Sequence, residues 1–179
     1  RSNQAGETGA VWIYRGILAV TRDASVRAFA QAHLETERKH LLAINALLPV
    51  LRRSKLLIAW RIAGFFTGSI PAIFGRRAVF ATIAAVETFV EHHYQLQIDQ
   101  LGCRSGHAEL LSLLIEFQKD EKSHRLEAID HLHTLNQDGL RGQLSAHSRQ
   151  PAQLPRLIRS WCRLVSVGSE IAVKIARVI

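Results

Sequence analysis

The chain has 179 residues, 47% of them apolar, a formal charge of +8, 4 prolines and 2 cysteines. That length can bury a sizeable core, and with no Pro- or Gly-rich linker no domain boundary is marked. The charge directs attention to nucleic acid or an anionic membrane surface. Cys103 and Cys162 lack metal-type spacing and fit a reducing compartment. Met is absent, including at position 1, so the chain is read as starting downstream of its true N-terminus. No signal peptide is visible, although residues upstream could carry one.

Apolar residues recur at spacings of three and four almost throughout, which predicts an all-α protein. The first helix covers residues 7–21. Asp23 or Ser25 caps a second that runs to residue 48. Pro49 and the basic run Arg52, Arg53 and Lys55 follow. Residues 56–74 form an apolar segment with one charge, Arg61. A long helix covers 77–101, with Gly102 as its stop, and another covers 107–135. Residues 136–153 read as the loosest stretch, and a last helix runs from 155 to the end.

The core faces of four of these helices carry residues that do not belong in a core. On the first, Glu7 precedes Ala10, Val11, Tyr14 and Leu18. On the second, the line Val26, Phe29, Ala30 continues through His33, Glu37, His40 and Leu41 to Ile44, Leu47 and Leu48. On the 77–101 helix it is Phe80, Ile83, Ala84, Glu87, Glu91, Tyr94 and Ile98. On the 107–135 helix it is Leu110, Leu113, Leu114, Phe117, Glu121, His124 and Ala128. Glu35, Arg38, Lys39, Asp120 and Lys122 read as solvated charges.

Residues i and i+3 lie about 60° apart around a helix with a rise of about 4.5 Å, so Glu-x-x-His can converge on one ion. A single such motif is weak evidence. The ordered set Glu7, Glu37-x-x-His40, Glu87, Glu121-x-x-His124 is much stronger, and its halves match in spacing: 30 residues from Glu7 to Glu37, 34 from Glu87 to Glu121. Four buried carboxylates need compensation, which two divalent ions supply. This is the ligand pattern of di-iron carboxylate four-helix bundles. Oxygen and imidazole donors suit iron or manganese better than a closed zinc site.

AGETGA (5–10), ETERKH (35–40), VETFVEHHY (86–94), DEKSH (120–124) and CRLVSVGSE (162–170) resemble, in order and over nearly the whole chain, the demethoxyubiquinone hydroxylase family. The resemblance implies a ferritin-like four-helix bundle with a di-iron centre and two additional hydrophobic or amphipathic helices, all in one domain over residues 1–179. It implies the iron ligands Glu7, Glu37, His40, Glu87, Glu121 and His124, with Glu37 and Glu121 bridging. His92, His93 and Tyr94 match the family's HHY segment, where hydrogen bonding around the ligands and proton or electron relay are expected. His33, one turn before Glu37, is read as packed or supporting rather than as a seventh ligand. The chain departs from the family where Asn3-Gln4 replace Asp-His, Thr8 replaces Tyr and Thr88 replaces Glu; none of these is a ligand position.

The activity implied is O₂-dependent hydroxylation of a demethoxyubiquinone-type ring in ubiquinone biosynthesis, with two Fe ions, O₂ as co-substrate and NADH or another reductant as electron source. No dinucleotide-binding fingerprint is visible in the 179 residues. The partners expected are a prenylated quinone, a membrane surface, a lipid-binding accessory protein within a ubiquinone-synthesis complex and further copies of the chain. The expected place is the cytoplasmic face of a bacterial inner membrane or the matrix face of the mitochondrial one.

Two segments read as membrane-facing, about 54–75 and 155–179. As a continuous helix, 56–74 would span about 28 Å. Arg61 interrupts it, Gly64 and Gly68 are expected to loosen it and Pro71 to break or kink it. An interfacial helix, or a lid over a substrate channel, is preferred to a span. The last helix sets Arg156, Arg159, Arg163, Lys174 and Arg177 against a stripe including Leu157, Ile158, Trp161, Leu164 and Val165; it packs on the bundle or meets the membrane. No nucleic-acid motif is present, so nucleic acid is not expected as a partner. The competing readings are an iron- or peroxide-handling protein of the ferritin-like or rubrerythrin-like kind, and a non-catalytic interaction protein.

Overall fold

The computed structural model describes residues 1–103, 106–144 and 155–178. Among them the protein is all-α, with six α-helices and no strand. Helices α1 (Ser2–Val20) and α2 (Ala24–Leu47) form one hairpin. Helices α4 (Arg76–Gly102) and α5 (Ala108–Leu144) form the other. Between the hairpins the chain passes through a 3₁₀ turn (Val50–Arg52) and α3 (Leu57–Ile73). Helix α6 (Arg156–Val178) packs mainly on α4. Two hairpins joined by a crossover are the ferritin-like arrangement expected from the sequence.

Local chemistry sets the corners. Asp23 caps α2, its Oδ1 accepting from the Val26 N–H at 3.0 Å. Helix α3 ends two residues past Pro71, so this proline terminates the helix and does not split it. Gly75 then turns the chain into α4 at φ 91°, a backbone conformation that favours glycine.

Two apolar clusters hold the bundle. The larger joins Tyr14, Ile17, Val26, Phe29, Phe80 and Ile83 with neighbours on α5 and α6. The smaller joins Ile44, Tyr94, Leu114 and Phe117 towards the other end. The Glu and His positions fall between them along the helices.

Several sequence expectations are corrected. Helix α1 starts at Ser2, and α5 continues through Leu144 instead of stopping at 135. Of the stretch expected to be loose, residues 145–153 lie outside the described residues. The apolar line of α2 ends at Ile44, since Leu47 is exposed. Gly64 and Gly68 do not loosen α3; they let it lie directly on α1. A Cβ on Gly64 would strike the Gly9 carbonyl, one on Gly68 the Ile13 carbonyl, and one on Gly16 of α1 the Phe65 carbonyl. The α6 stripe divides: Val165 and Trp161 pack inward, while Leu157 and Leu164 stay exposed.

Candidate metal centre

Glu7 on α1, Glu37 and His40 on α2, Glu87 on α4 and Glu121 and His124 on α5 are all buried. The helical repeat puts each on its helix's inward stripe, and the bundle brings the stripes together. Two overlapping groups result: Glu7, Glu37, His40 and Glu121, and Glu37, Glu87, Glu121 and His124. Within each, one ligand-type atom per residue lies within 4.8 Å of all the others. Glu37 and Glu121 belong to both groups.

Both imidazoles present Nδ1 to the carboxylates. His40 Nδ1 lies 3.2 Å from Glu121, 3.6 Å from Glu7 and 3.8 Å from Glu37. His124 Nδ1 lies 3.2 Å from Glu37 and 3.5 Å from Glu121. Yet both oxygens of Glu37 and of Glu121, one oxygen of Glu7 and both Nδ1 atoms are buried without a hydrogen-bond partner in the protein. Buried polar atoms left unpaired are costly, and so many on one point are not the product of ordinary packing. Four carboxylates and two imidazoles are the donors a pair of hard or borderline divalent cations takes, so the residues fit such a pair.

The electrostatics agree. Burial, then the nearby Glu121 charge, raises the pKa of both Glu37 and Glu87 well above the carboxylate range. At Glu121 burial also pushes upward, but His124 and His40 outweigh it and hold the pKa low. At His40 burial pushes down, and Glu121 and Glu7 overcome this, raising the pKa to about 11. Protons and metal cations therefore compete for the same atoms.

A ring of supporting groups holds the set. The Tyr94 hydroxyl donates to Glu7, and the Tyr14 hydroxyl donates to Glu87 at 2.9 Å. Each tyrosine thus serves the carboxylate of the other hairpin. Burial first, then neighbouring carboxylates, raises both phenol pKa values, so both remain donors. His40 Nε2 lies 3.1 Å from Asp120 Oδ2, which orients the ring and leaves Nδ1 facing the cluster. His33 bridges Tyr14 at 3.2 Å and Glu127 at 2.8 Å and stacks on His124, with centroids 4.0 Å apart.

The HHY segment divides. Tyr94 reaches the cluster, but His92 is exposed, and His93 is buried with its ring stacked on Phe89. Among the described residues, no hydrogen bond or ion pair joins either histidine side chain to the cluster, because on a helix neither shares the inward direction of Glu87 and Tyr94. Glu91 also leaves the core line and pairs with Arg125 at 2.7 Å. Asp120, read from sequence as surface charge, is half-exposed yet contacts His40. Tyr14 was legible only as a core residue, although it stands seven residues after Glu7 just as Tyr94 stands seven after Glu87.

The chain is similar in sequence to known proteins. Residues 1–176 match the family described as Ubiquinone biosynthesis protein COQ7. The chain is 29% identical over 176 residues to the NADPH-dependent 3-demethoxyubiquinone 3-hydroxylase, mitochondrial, of Dictyostelium discoideum, covering 97% of this chain and 72% of that protein. It is 33% identical over 135 residues to the protein of that name from Rattus norvegicus, covering 73% and 62%. It is 35% identical over 128 residues to the 3-demethoxyubiquinol 3-hydroxylase of Rhodospirillum rubrum, covering 70% and 59%. The matches span about three fifths of the rat and R. rubrum proteins. With nearly every residue inside the family match, the chain belongs to the ubiquinone biosynthesis protein COQ7 family.

Proposed function

We propose that the protein is an O₂-dependent monooxygenase that hydroxylates the ring of a demethoxyubiquinone-type prenylated quinone at a di-iron centre. The observation that carries this reading is the buried, unpaired set of ligand atoms in two groups that share Glu37 and Glu121. In this assignment Glu7 and His40 would hold one iron and Glu87 and His124 the other, with Glu37 and Glu121, which belong to both groups, available to each. Bound iron supplies the redox chemistry that activates O₂. The balance is one ring C–H, O₂, two electrons and two protons in, and one ring C–OH and water out. Reduced nicotinamide dinucleotide, NADH or NADPH, is the proposed electron source; the rat and Dictyostelium relatives are named NADPH-dependent.

The chain's own residues set the conditions. Tyr94 and Tyr14 fix the terminal carboxylates Glu7 and Glu87 by donating to them. Asp120 fixes the His40 ring. Packing above and below keeps bulk water from the cluster, which strengthens every interaction inside it. An apolar cavity of about 380 Å³ opens between α1, α3, α4 and α6. Gly6 and Val86, next in sequence to Glu7 and Glu87, line it, and Trp60, Phe89 and Trp161 form much of the remaining wall. Its size and lining suit a quinone ring with the start of a prenyl tail.

Such a substrate requires access to a bilayer. No helix among the described residues is long and apolar enough to cross a membrane. Helix α3 exposes Ile58, Ile62 and Phe66, and α6 exposes Leu164 and Ile171. We assign these surfaces to peripheral attachment, on the matrix face in mitochondria or the cytoplasmic face in bacteria.

The test is anaerobic loading with Fe²⁺, then addition of a demethoxyubiquinol and ¹⁸O₂, with products read by mass spectrometry. The expected product carries one labelled hydroxyl at two irons per chain. Bulk iron mineralisation without hydroxylated quinone would sink the proposal in favour of iron handling.

A further inference from the structure

A second cavity, of about 340 Å³, lies where α1, α2 and the start of α3 meet. Arg15, Arg53 and Arg61 line it together with Gln4 and Asn45. Among the described residues, none of the three arginines forms an ion pair with a carboxylate. For Arg53 and Arg61 the sequence gives a reason: between Glu37 and Glu87 there is no acidic residue at all. Three guanidinium groups gathered at one cavity, Arg53 half-buried and Arg15 and Arg61 exposed at its rim, favour an anion among them.

The other lining groups sharpen this. Gln4 Oε1 accepts from the Ser54 N–H at 2.8 Å, and Asn45 Oδ1 accepts from Gln4 at 2.6 Å. The Asn45 backbone carbonyl accepts from Arg53 at 3.2 Å. The oxygens most able to receive a cation are thus engaged, and the remaining polar atoms are mostly donors. Arg53 Nε is buried with no partner in the protein. Arg15 is held over the Trp12 ring at 4.8 Å, which limits its wandering. Guanidinium donors arriving from α1, from α3 and from the connection before α3 match a tetrahedral oxyanion better than a flat carboxylate.

We propose that this arginine-lined cavity binds a phosphate group. Two sources share that chemistry. One is a phospholipid headgroup: Leu57 and Arg61 line the cavity, and Ile58 and Ile62, one residue further round α3, are exposed beside it. The other is a soluble phosphate ester such as NADPH.

The test uses the whole chain with three probes: phosphatidylcholine vesicles with and without phosphatidic acid, NADPH, and inorganic phosphate. Flotation reads the vesicles and calorimetry the soluble ligands. An Arg53→Gln/Arg61→Gln double variant should weaken at least one probe about tenfold or more. Lys119→Gln/Lys122→Gln, with the same loss of charge on the exposed side of α5, should not. Asn45→Asp keeps the acceptor for Gln4 but adds a carboxylate among the guanidiniums. It should raise the melting temperature and weaken the same probe, which keeps the test valid if the arginine variants fold poorly. Response to phosphatidic acid alone identifies a lipid; response to NADPH or phosphate alone identifies a soluble ester. Equal loss in both double variants, or no change in any probe, overturns the proposal. Glu37→Ala should leave phosphate binding intact, so this site and the iron site fail independently.

Discussion

Towards α3, helix α1 offers Gly16 and the carbonyls of Gly9 and Ile13, and the two backbones meet there with no side chain between them. Towards the bundle interior the same helix offers Glu7 and Tyr14, and there the space is filled by ionisable groups. The first side is optimised for packing, since Gly16, with Gly64 and Gly68 opposite it, gives up conformational freedom for close contact. The second contains unpaired buried atoms that an apolar core would do without. A single helix therefore carries one face selected for stability and one held against it, which is expected of a binding site.

That contrast can be broken at either face. The largest effect is expected at the seam: Gly68→Leu drives a side chain into the Ile13 carbonyl and should cost about 3 kcal/mol or more. At roughly 2–4 °C per kcal/mol for a chain this size, thermal denaturation should show a fall of about 10 °C, or no folded protein. Survival with an unchanged melting temperature would mean the seam is looser than described. At the other face, Glu37→Leu should abolish iron binding yet stabilise the metal-free chain by about 1–3 kcal/mol, because two unpaired buried oxygens are removed. A metal-free variant less stable than its parent would show that the cluster supports the fold on its own.

The next effects are smaller. Tyr14→Phe and Tyr94→Phe should each lower metal affinity by roughly 10- to 100-fold, and to a similar degree, as measured by competition with a chelator. The smallest follows from protonation. The Glu37 and Glu87 pKa values are raised by burial, so in the absence of metal these carboxyls hold protons to higher pH than usual. Metal must displace those protons, so apparent affinity should increase as pH rises, by up to about tenfold per pH unit for each proton released. Calorimetry in buffers of different ionisation enthalpy counts the protons; pH-independent affinity would show that the carboxyls were already ionised.

These two faces were not equally legible in the sequence. Glu37, His40, Glu121 and His124 stood out because charge interrupted an apolar stripe with helical period, and the repeated motif made the interruption hard to dismiss. Glu7 and Glu87 followed from the order of the set. The seam was misread because Gly64 and Gly68 have no side chain to reveal a partner; only the approach of α1 explains them. Asp120 was missed because its contact with His40 spans two helices and leaves the carboxylate half in solvent. Tyr14 was missed because a tyrosine is unremarkable in a core, and its hydroxyl is informative only once Glu87 is seen beside it. The extension of α5 past residue 135 gave no apolar periodicity to follow.

The crossed tyrosines also act as a ruler. Seven residues is nearly two turns, so Tyr14 and Tyr94 lie below Glu7 and Glu87 on the same faces of α1 and α4. Tyr14 reaches Glu87 while Tyr94 reaches Glu7. If α1 slid along α4 by one turn, about 5.4 Å, both contacts would be lost at once. Neither hairpin can shift its own carboxylate without dragging on the other's. The bonds that aim the Glu7 and Glu87 carboxylates therefore also lock the relative register of the two halves of the bundle, so the space between these carboxylates is set by the alignment of whole helices.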